Sequence, residues 1–419
     1  MKLFSPVVLI FLLAVFPAFA DTLPGFRVET LGSADGFVSS VVVDTKSNVY
    51  FTTTSGWIYR LDNSNGGGNA VRVAFLPTKA GGNGGLLGMA LLDERTAVVH
   101  YTTWAPTGEK VLDDVISTVD LVTGTERVLK TFACDIHFRD NGASPEHHGG
   151  NPTVAPDGSI FVGIGEYGGR IAAQKPEWNG GKIFRIDREG RTTQWALGMR
   201  NPYDLAWDDA RGQIVVADNG PDGGDEIHVI DRDANCGWPD TYGNEPQISG
   251  AVAPVYVFDE TVAPTGLARL TGANPMFRSG YLLAAFVTRA IYYFPDLAER
   301  PVSEPVAVIN GYDGFVIDVT QAPDGTIYFA TAEFPGTSSI HRLVPPQRGD
   351  CNGDGFIDSR DIPALMGELR DGGIQRAIRV QDGAHAGSWG CDVTADGIVD
   401  SRDLDQLAAQ LMRKRAVRR

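Results

Sequence analysis

Between Ser39 and Val344 apolar and polar residues alternate in short runs, and nearly every run is stopped by Asp, Asn or Gly. Alternation with period two turns one face of each run toward a core, so the runs are predicted strands and the stops tight turns. One unit recurs: an alternating strand, a turn, a second strand, a glycine-rich gap, and a third strand ending on a charged or aromatic residue. Six copies cover Val41–Leu61, Leu86–Leu121, Thr153–Ile186, Leu205–Ile230, Leu267–Phe294 and Ile317–Val344. Starts about 40 to 65 residues apart, with three or four strands each, predict an all-β, six-bladed propeller over residues 21–344. A single small twisted sheet cannot bury both faces, whereas a ring of them packs face to face. A jelly roll or long sandwich shares the alternation but not the repeated Asp-Gly turn. Ligands of such a ring bind at the axial mouth, where loops converge.

After Pro345-Pro346, in a short linker over 345–349, the period changes from two to that of a helix. Asp350, Asn352, Asp354, Asp358 and Asp361 stand at positions 1, 3, 5, 9 and 12 of a loop, with Gly355 at 6, Phe356 at 7 and Ile357 at 8. Asp392, Thr394, Asp396, Ile398, Asp400 and Asp403 repeat the frame. Alternate oxygen ligands around a central glycine, with a main-chain carbonyl at position 7, make a calcium loop. Thr394 is the weaker ligand. Each loop leads into one predicted amphipathic helix, Asp361–Leu369 with Ile362, Leu365, Met366 and Leu369 on a face, and Asp403–Met412 with Leu404, Leu407, Ala408 and Leu411. No helix precedes either loop.

Composition agrees: 50 glycines and 24 prolines in 419 residues suit many short strands joined by turns. The net charge of −16 argues against nucleic acid as a partner and suits calcium, although a solvated acidic surface accounts for it equally well. The exception is a basic tail over 413–419, which reads as a solvated helix end, a processing signal or an attachment point. Lys2, an apolar run from Val7 to Phe19, and Ala18-Phe19-Ala20 form a secretory signal over 1–20, so the chain is expected outside the cytoplasm, in the periplasm, the medium or at the cell surface. No later run approaches the roughly 20 apolar residues of a membrane span, and the mature chain is expected to be soluble. An oxidising compartment makes the four cysteines disulfide candidates. Of three pairings, Cys134–Cys236 with Cys351–Cys391 respects the division between propeller and tail.

The candidate chemistry lies at the turns. His147 or His148 is a candidate base, Glu166 a carboxylate to orient it, and Arg200 a cation for developing negative charge. Such a set suits alcohol oxidation, in which an imidazole takes the hydroxyl proton while hydride leaves the same carbon. A nicotinamide fingerprint is missing, so another acceptor is implied. Any one of these residues, taken singly, is more often a structural hydrogen-bonder.

Gly85-Leu86-Leu87-Gly88, His147-x-Gly-Gly, Gly198-x-Arg-Asn-Pro, Asp225-Glu226-Ile227 and Asn235-x-Gly-Trp-Pro together resemble the soluble glucose/sorbosone dehydrogenases, six-bladed quinoproteins that use pyrroloquinoline quinone (PQQ) and calcium. The resemblance, from Leu86 to Val344, implies that His147 is the general base and that Glu166 replaces an orienting aspartate. It further implies that Arg200 and Asn201 contact the quinone, that the Gly220 and Pro221 carbonyls hold calcium, and that Asn83, with His148, lies near a sugar substrate. It also exposes departures. Thr288-Arg289-Ala290 stands where the family has a lysine for the PQQ carboxylates, leaving Arg289 as the candidate. Asn310-Gly311-Tyr312-Asp313-Gly314-Phe315-Val316 stands where paired arginines are expected. Residues 350–412 resemble a type I dockerin, which implies that Ser359-Arg360 and Ser401-Arg402 face a cohesin partner; the same pairs also serve simply to start solvated helices. Three functions stay open: a PQQ- and calcium-dependent aldose or polyol dehydrogenase, a non-catalytic propeller binding carbohydrate or protein, and a calcium-dependent lactonase.

Overall fold

The computed structural model describes residues 21–23, 26–62, 68–79, 83–105, 112–134, 146–221, 223–274, 276–277, 279–298, 300–334, 336–370 and 386–417. The secretory signal over 1–20 and the last two residues of the basic tail lie outside them. Antiparallel sheets form six blades around an axis. The first blade runs Val38–Val43, Val49–Thr53, Trp57–Asp62 and Gly68–Phe75, and the second Leu86–Leu91, Thr96–Trp104, Leu112–Asp120 and Glu126–Phe132. Blade three holds Thr153–Val154, Ile160–Ile164, Lys182–Ile186 and Thr192–Leu197, and blade four Pro202–Asp208, Gln213–Asp218, Glu226–Ile230 and Tyr256–Val257. Blade five holds Pro264–Leu270, Gly280–Ala285, Ala290–Phe294 and Val306–Asn310. Buried aliphatic and aromatic side chains from facing blades make a separate apolar core at each junction, as between Val215, Ile227, Leu267 and Leu283.

The sixth blade contains Phe315–Gln321, Ile327–Glu333 and Thr337–Val344, and takes its outer strand from the other end of the propeller. Arg27–Asp35 pairs antiparallel with Thr337–Val344 and touches the outer strand of blade one in parallel at Gly32 and Ser33. The ring is thus closed by chain ends more than 300 residues apart, as the hydrogen-bonded pair Thr30 and His341 illustrates. His341 sits at that closure, with Nδ1 3.1 Å from Thr30 Oγ1, Nε2 2.8 Å from Thr331 Oγ1, and its ring on Phe329. Burial pushes its pKa down to about 4.

Above pH 6.5 the imidazole is neutral folded or unfolded, whereas between 6.5 and 4 only the unfolded chain takes the proton. Acid therefore removes up to about 3 kcal/mol of stability through this one group. We expect the melting-temperature gap between wild type and His341→Gln to change steadily from pH 7 to 4.5; a constant gap contradicts this.

Beyond the propeller, helices Asp361–Arg370 and Ser401–Val417 pack through Leu365 and Leu407 with Ile362, Leu369, Leu404 and Leu411. Two readings of this region change. Met366, expected on the buried face, is exposed. A short helix, Ala386–Cys391, does lead into the second loop, and residues 413–417 of the basic tail continue the final helix. Cys351 and Cys391 are disulfide-bonded. Cys134 and Cys236 are not: Cys134 is buried with Ile164 and Tyr167 between blades two and three, and Cys236 with Ile183 and Ile214 between blades three and four. A blade separates the two thiols. No helix among the described residues is long and apolar enough to cross a membrane.

Candidate active site

In an antiparallel blade, the turn from second to third strand opens on the same face as the segment leading into the inner strand. Glu166 follows the second strand of blade three, Gly220 that of blade four and Arg289 that of blade five, while His147 and Arg200 lead into the inner strands of blades three and four. One mouth therefore collects them. His147 adopts a φ of 58°, and this left-handed turn sends neighbouring imidazoles in different directions. Its Nδ1 lies 2.8 Å from Glu166 Oε1. Since a carboxylate only accepts, Nδ1 carries the hydrogen and Nε2 keeps its lone pair. His147 retains 13% side-chain exposure while Glu166 is almost wholly buried. A base with a sequestered orienting carboxylate results.

His148 corrects an expectation. It is 1% exposed, with Nδ1 on the buried carboxylate of Asp114, which also binds His100 Nε2 at 3.0 Å. It belongs to the blade interior, away from the mouth. Asn83, by contrast, is exposed on the turn before Leu86.

Arg200 is half-buried. Its main-chain N–H and that of Asn201 donate to the two oxygens of Asp218, and Asn201 Oδ1 accepts from Gly149 N–H, joining the arginine turn to the histidine turn. Burial, with Glu226 nearby, raises the Asp218 carboxyl to about 7. Asp225 does the same work for the next turn, accepting Gly220 N–H with Oδ1 and Val262 and Ala263 N–H with Oδ2. Asp218 was missed from sequence, and Asp225 was noted there only as part of the Asp225-Glu226-Ile227 motif, without this role. The only signal for Asp218 is its position, closing the apolar run Ile214–Ala217.

The carbonyls expected to hold calcium already have partners. Arg200 Nη1 donates to Asn219 O at 2.8 Å and Gly220 O at 2.9 Å, whereas Pro221 O accepts Gly224 N–H. Two carbonyls converging on one cationic nitrogen form a cradle suited to a hard cation. Of the two, Gly220 O belongs to the expected pair and Asn219 O does not, and a calcium ion there would displace Arg200 Nη1. Glu166 Oε2 is buried and has no hydrogen-bond partner.

The opposite wall does not match the expected grip on three carboxylates. Phe286 stacks on Phe315 at 4.4 Å, Phe315 meets Phe334 at 5.5 Å, and Phe37 meets Phe334 at 5.7 Å. Arg289 is exposed above this cluster, its guanidinium 5.1 Å from the Phe315 ring. The arginine pair of the family is thus replaced by aromatic surface with one cation at its edge.

In each tail loop the position-12 carboxylate ties the loop through main-chain N–H groups. Asp361 accepts Asn352 and Asp358 N–H, and Asp403 accepts Thr394 and Asp400 N–H in the same way. Asp350 Oδ1 is buried without a hydrogen-bond partner. Ile357 and Val399 dock the loops on the small core. Phe356 and Ile398 lie outward, so only their carbonyls are available to an ion. Ser359, Arg360, Ser401 and Arg402 are exposed, and both guanidiniums fold back on loop carboxylates, Arg360 on Asp354 and Asp358, Arg402 on Asp396 and Asp400.

The Glucose / Sorbosone dehydrogenase family model matches residues 40–341, and the Dockerin type I domain model residues 348–412. Aldose sugar dehydrogenase YliI of Escherichia coli is 25% identical over 217 residues, covering 45% of this chain and 58% of that protein. The chain spans a little over half the length of the curated relatives it matches first. A glucose dehydrogenase structure superposes with a TM-score of 0.67 at 20% identity, over 77% of this chain and 100% of that one. The PQQ-bound aldose sugar dehydrogenase of Streptomyces coelicolor gives 0.63 at 21%, over 78% and 99%. The chain belongs to the glucose/sorbosone dehydrogenase family and carries a C-terminal dockerin type I domain.

Proposed function

We propose that this protein is an exported dehydrogenase of aldoses or polyols that uses PQQ and calcium, displayed through its dockerin domain on a cohesin-type partner. The observation that carries the reading is the His147–Glu166 pair facing Arg200 and the Asn219–Gly220 carbonyls across one mouth. PQQ, when bound, supplies a two-electron acceptor for hydride. Arg200, Asn201 and the calcium cradle would hold its reactive end, and Arg289 its carboxylates. His147 Nε2 takes the sugar hydroxyl proton as the C–H electron pair departs and the C=O bond forms. Glu166 holds the imidazole in that tautomer and stabilises the imidazolium, and Arg200 places positive charge beside the oxygen that gains it. The exposed Ser-Arg pairs are the proposed face for cohesin, and the secretory signal would deliver the chain to it.

The aromatic wall favours a second reading, a propeller that binds carbohydrate or protein without catalysis. Titration of PQQ into the chain with calcium present separates the two. Saturable binding is expected, and its absence contradicts the dehydrogenase reading. Arg289→Ala should weaken it about tenfold, the low end for a charge-assisted contact because the side chain is exposed. An unchanged Kd would remove Arg289 from the site.

A further inference from the structure

The inner strands of five blades carry a β-bulge at corresponding positions, just before Ser40, Gly88, Asp204, Gly266 and Asp318. Asn151 fills the equivalent place in blade three. These six residues form a closed polar ring around the axis. Ser40 Oγ donates to Met89 O, Asn151 Nδ2 to Asp204 Oδ2, and the Leu267 and Val41 N–H groups to Asp204 Oδ2 and Asp318 Oδ2. The two glycines close the remaining junctions by close approach: a side chain on Gly88 would collide with Asn151 Oδ1, and one on Gly266 with Asp318 Oδ1.

The ring opens on an axial cavity of about 230 Å³, lined by Ser40, Asn151, Asp204 and Asp318 among apolar neighbours, with no lysine, arginine or histidine among the described residues lining it. Two fully buried carboxylates thus face one space without a cation. Asn151 Oδ1, in a residue only 4% exposed, has no hydrogen-bond partner. An orphaned carbonyl oxygen beside paired carboxylates is what an oxygen-seeking ion requires.

We propose that the axial channel binds a hard divalent cation of the calcium class, held by the Asp204 and Asp318 carboxylates with Asn151 Oδ1. The ion would tie blades three, four and six at the centre of the ring. Without it, burial and Asp318 push the Asp204 carboxyl well above the usual range, and burial lifts Asp318 to about 7. The proposal is independent of the chemistry at the mouth and of the tail loops.

The test uses the full chain, stripped with chelator, reloaded with calcium and gel-filtered. Asp204→Asn/Asp318→Asn should retain one calcium fewer per chain than wild type, with both tail loops still filled; equal retention overturns the proposal. Because each aspartate also accepts main-chain N–H groups, the paired variant is at risk of misfolding. Crystals of the wild type soaked in manganese decide independently. An anomalous peak on the axis among Asp204, Asp318 and Asn151 supports the site, and an axis holding only water at millimolar ion overturns it.

Discussion

His147→Ala should lower sugar-dependent turnover by about 100- to 10,000-fold, the range for loss of a positioned general base. The loss should appear in kcat, because the imidazole acts on a proton that moves only as the C–H bond breaks. PQQ affinity should stay near wild type, since the cradle of Asn219 and Gly220 carbonyls does not involve His147. Glu166→Gln gives the sharper discrimination. A glutamine amide fits the same space but does not stabilise an imidazolium, so kcat should fall, though less than in His147→Ala, while PQQ affinity is kept. His148→Ala should instead act on stability, because His148 and His100 share the buried Asp114 carboxylate. A reversed ranking, with His148 controlling rate and His147 neutral, would contradict the assignment.

The second large effect concerns the tail. Asp350, Asp354, Asp358 and Asp361 crowd four carboxylates into one loop, and Asp350 has a buried oxygen with no partner. Removing calcium should therefore loosen residues 350–412, and Asp361→Ala or Asp403→Ala should weaken its own loop by about 100-fold or more, beyond what outer-shell changes cost. Arg360 and Arg402 now neutralise part of the loop charge. Calcium would compete for those carboxylates and release both guanidiniums to the face proposed for the partner. Calorimetric titration of the full chain should lose one site in each single variant and two in the double variant. Unchanged stoichiometry would contradict the calcium loops.

How far the residues announce this structure depends on the range of the interactions. Blades were legible because their turns are local: Pro156-Asp157-Gly158 and Pro323-Asp324-Gly325 each join two strands, and alternation on either side sets the buried face. The closing strand Arg27–Asp35 was not, since its half-exposed, polar residues gain meaning only against Thr337–Val344 at the far end of the propeller. The Cys134–Cys236 pairing failed for the same reason, because a blade's thickness intervenes, whereas Cys351–Cys391 formed as expected within the tail. At the site, residue identity pointed to Glu166, Arg200 and either histidine, and only the family resemblance chose His147. In the structure one left-handed turn at His147 separates the two imidazoles. Nor did spacing show that Arg200 would rest on the carbonyls expected to take calcium, or that phenylalanines from blades five, six and one would assemble where cations were sought.

The most direct test of the central claim is the initial rate of dye reduction by the full chain reconstituted with PQQ and calcium, measured over a panel of aldoses and polyols. The account predicts sugar-dependent reduction that is lost on omitting PQQ or in His147→Ala. No sugar-dependent rate at saturating PQQ, or an undiminished rate in His147→Ala, would contradict it.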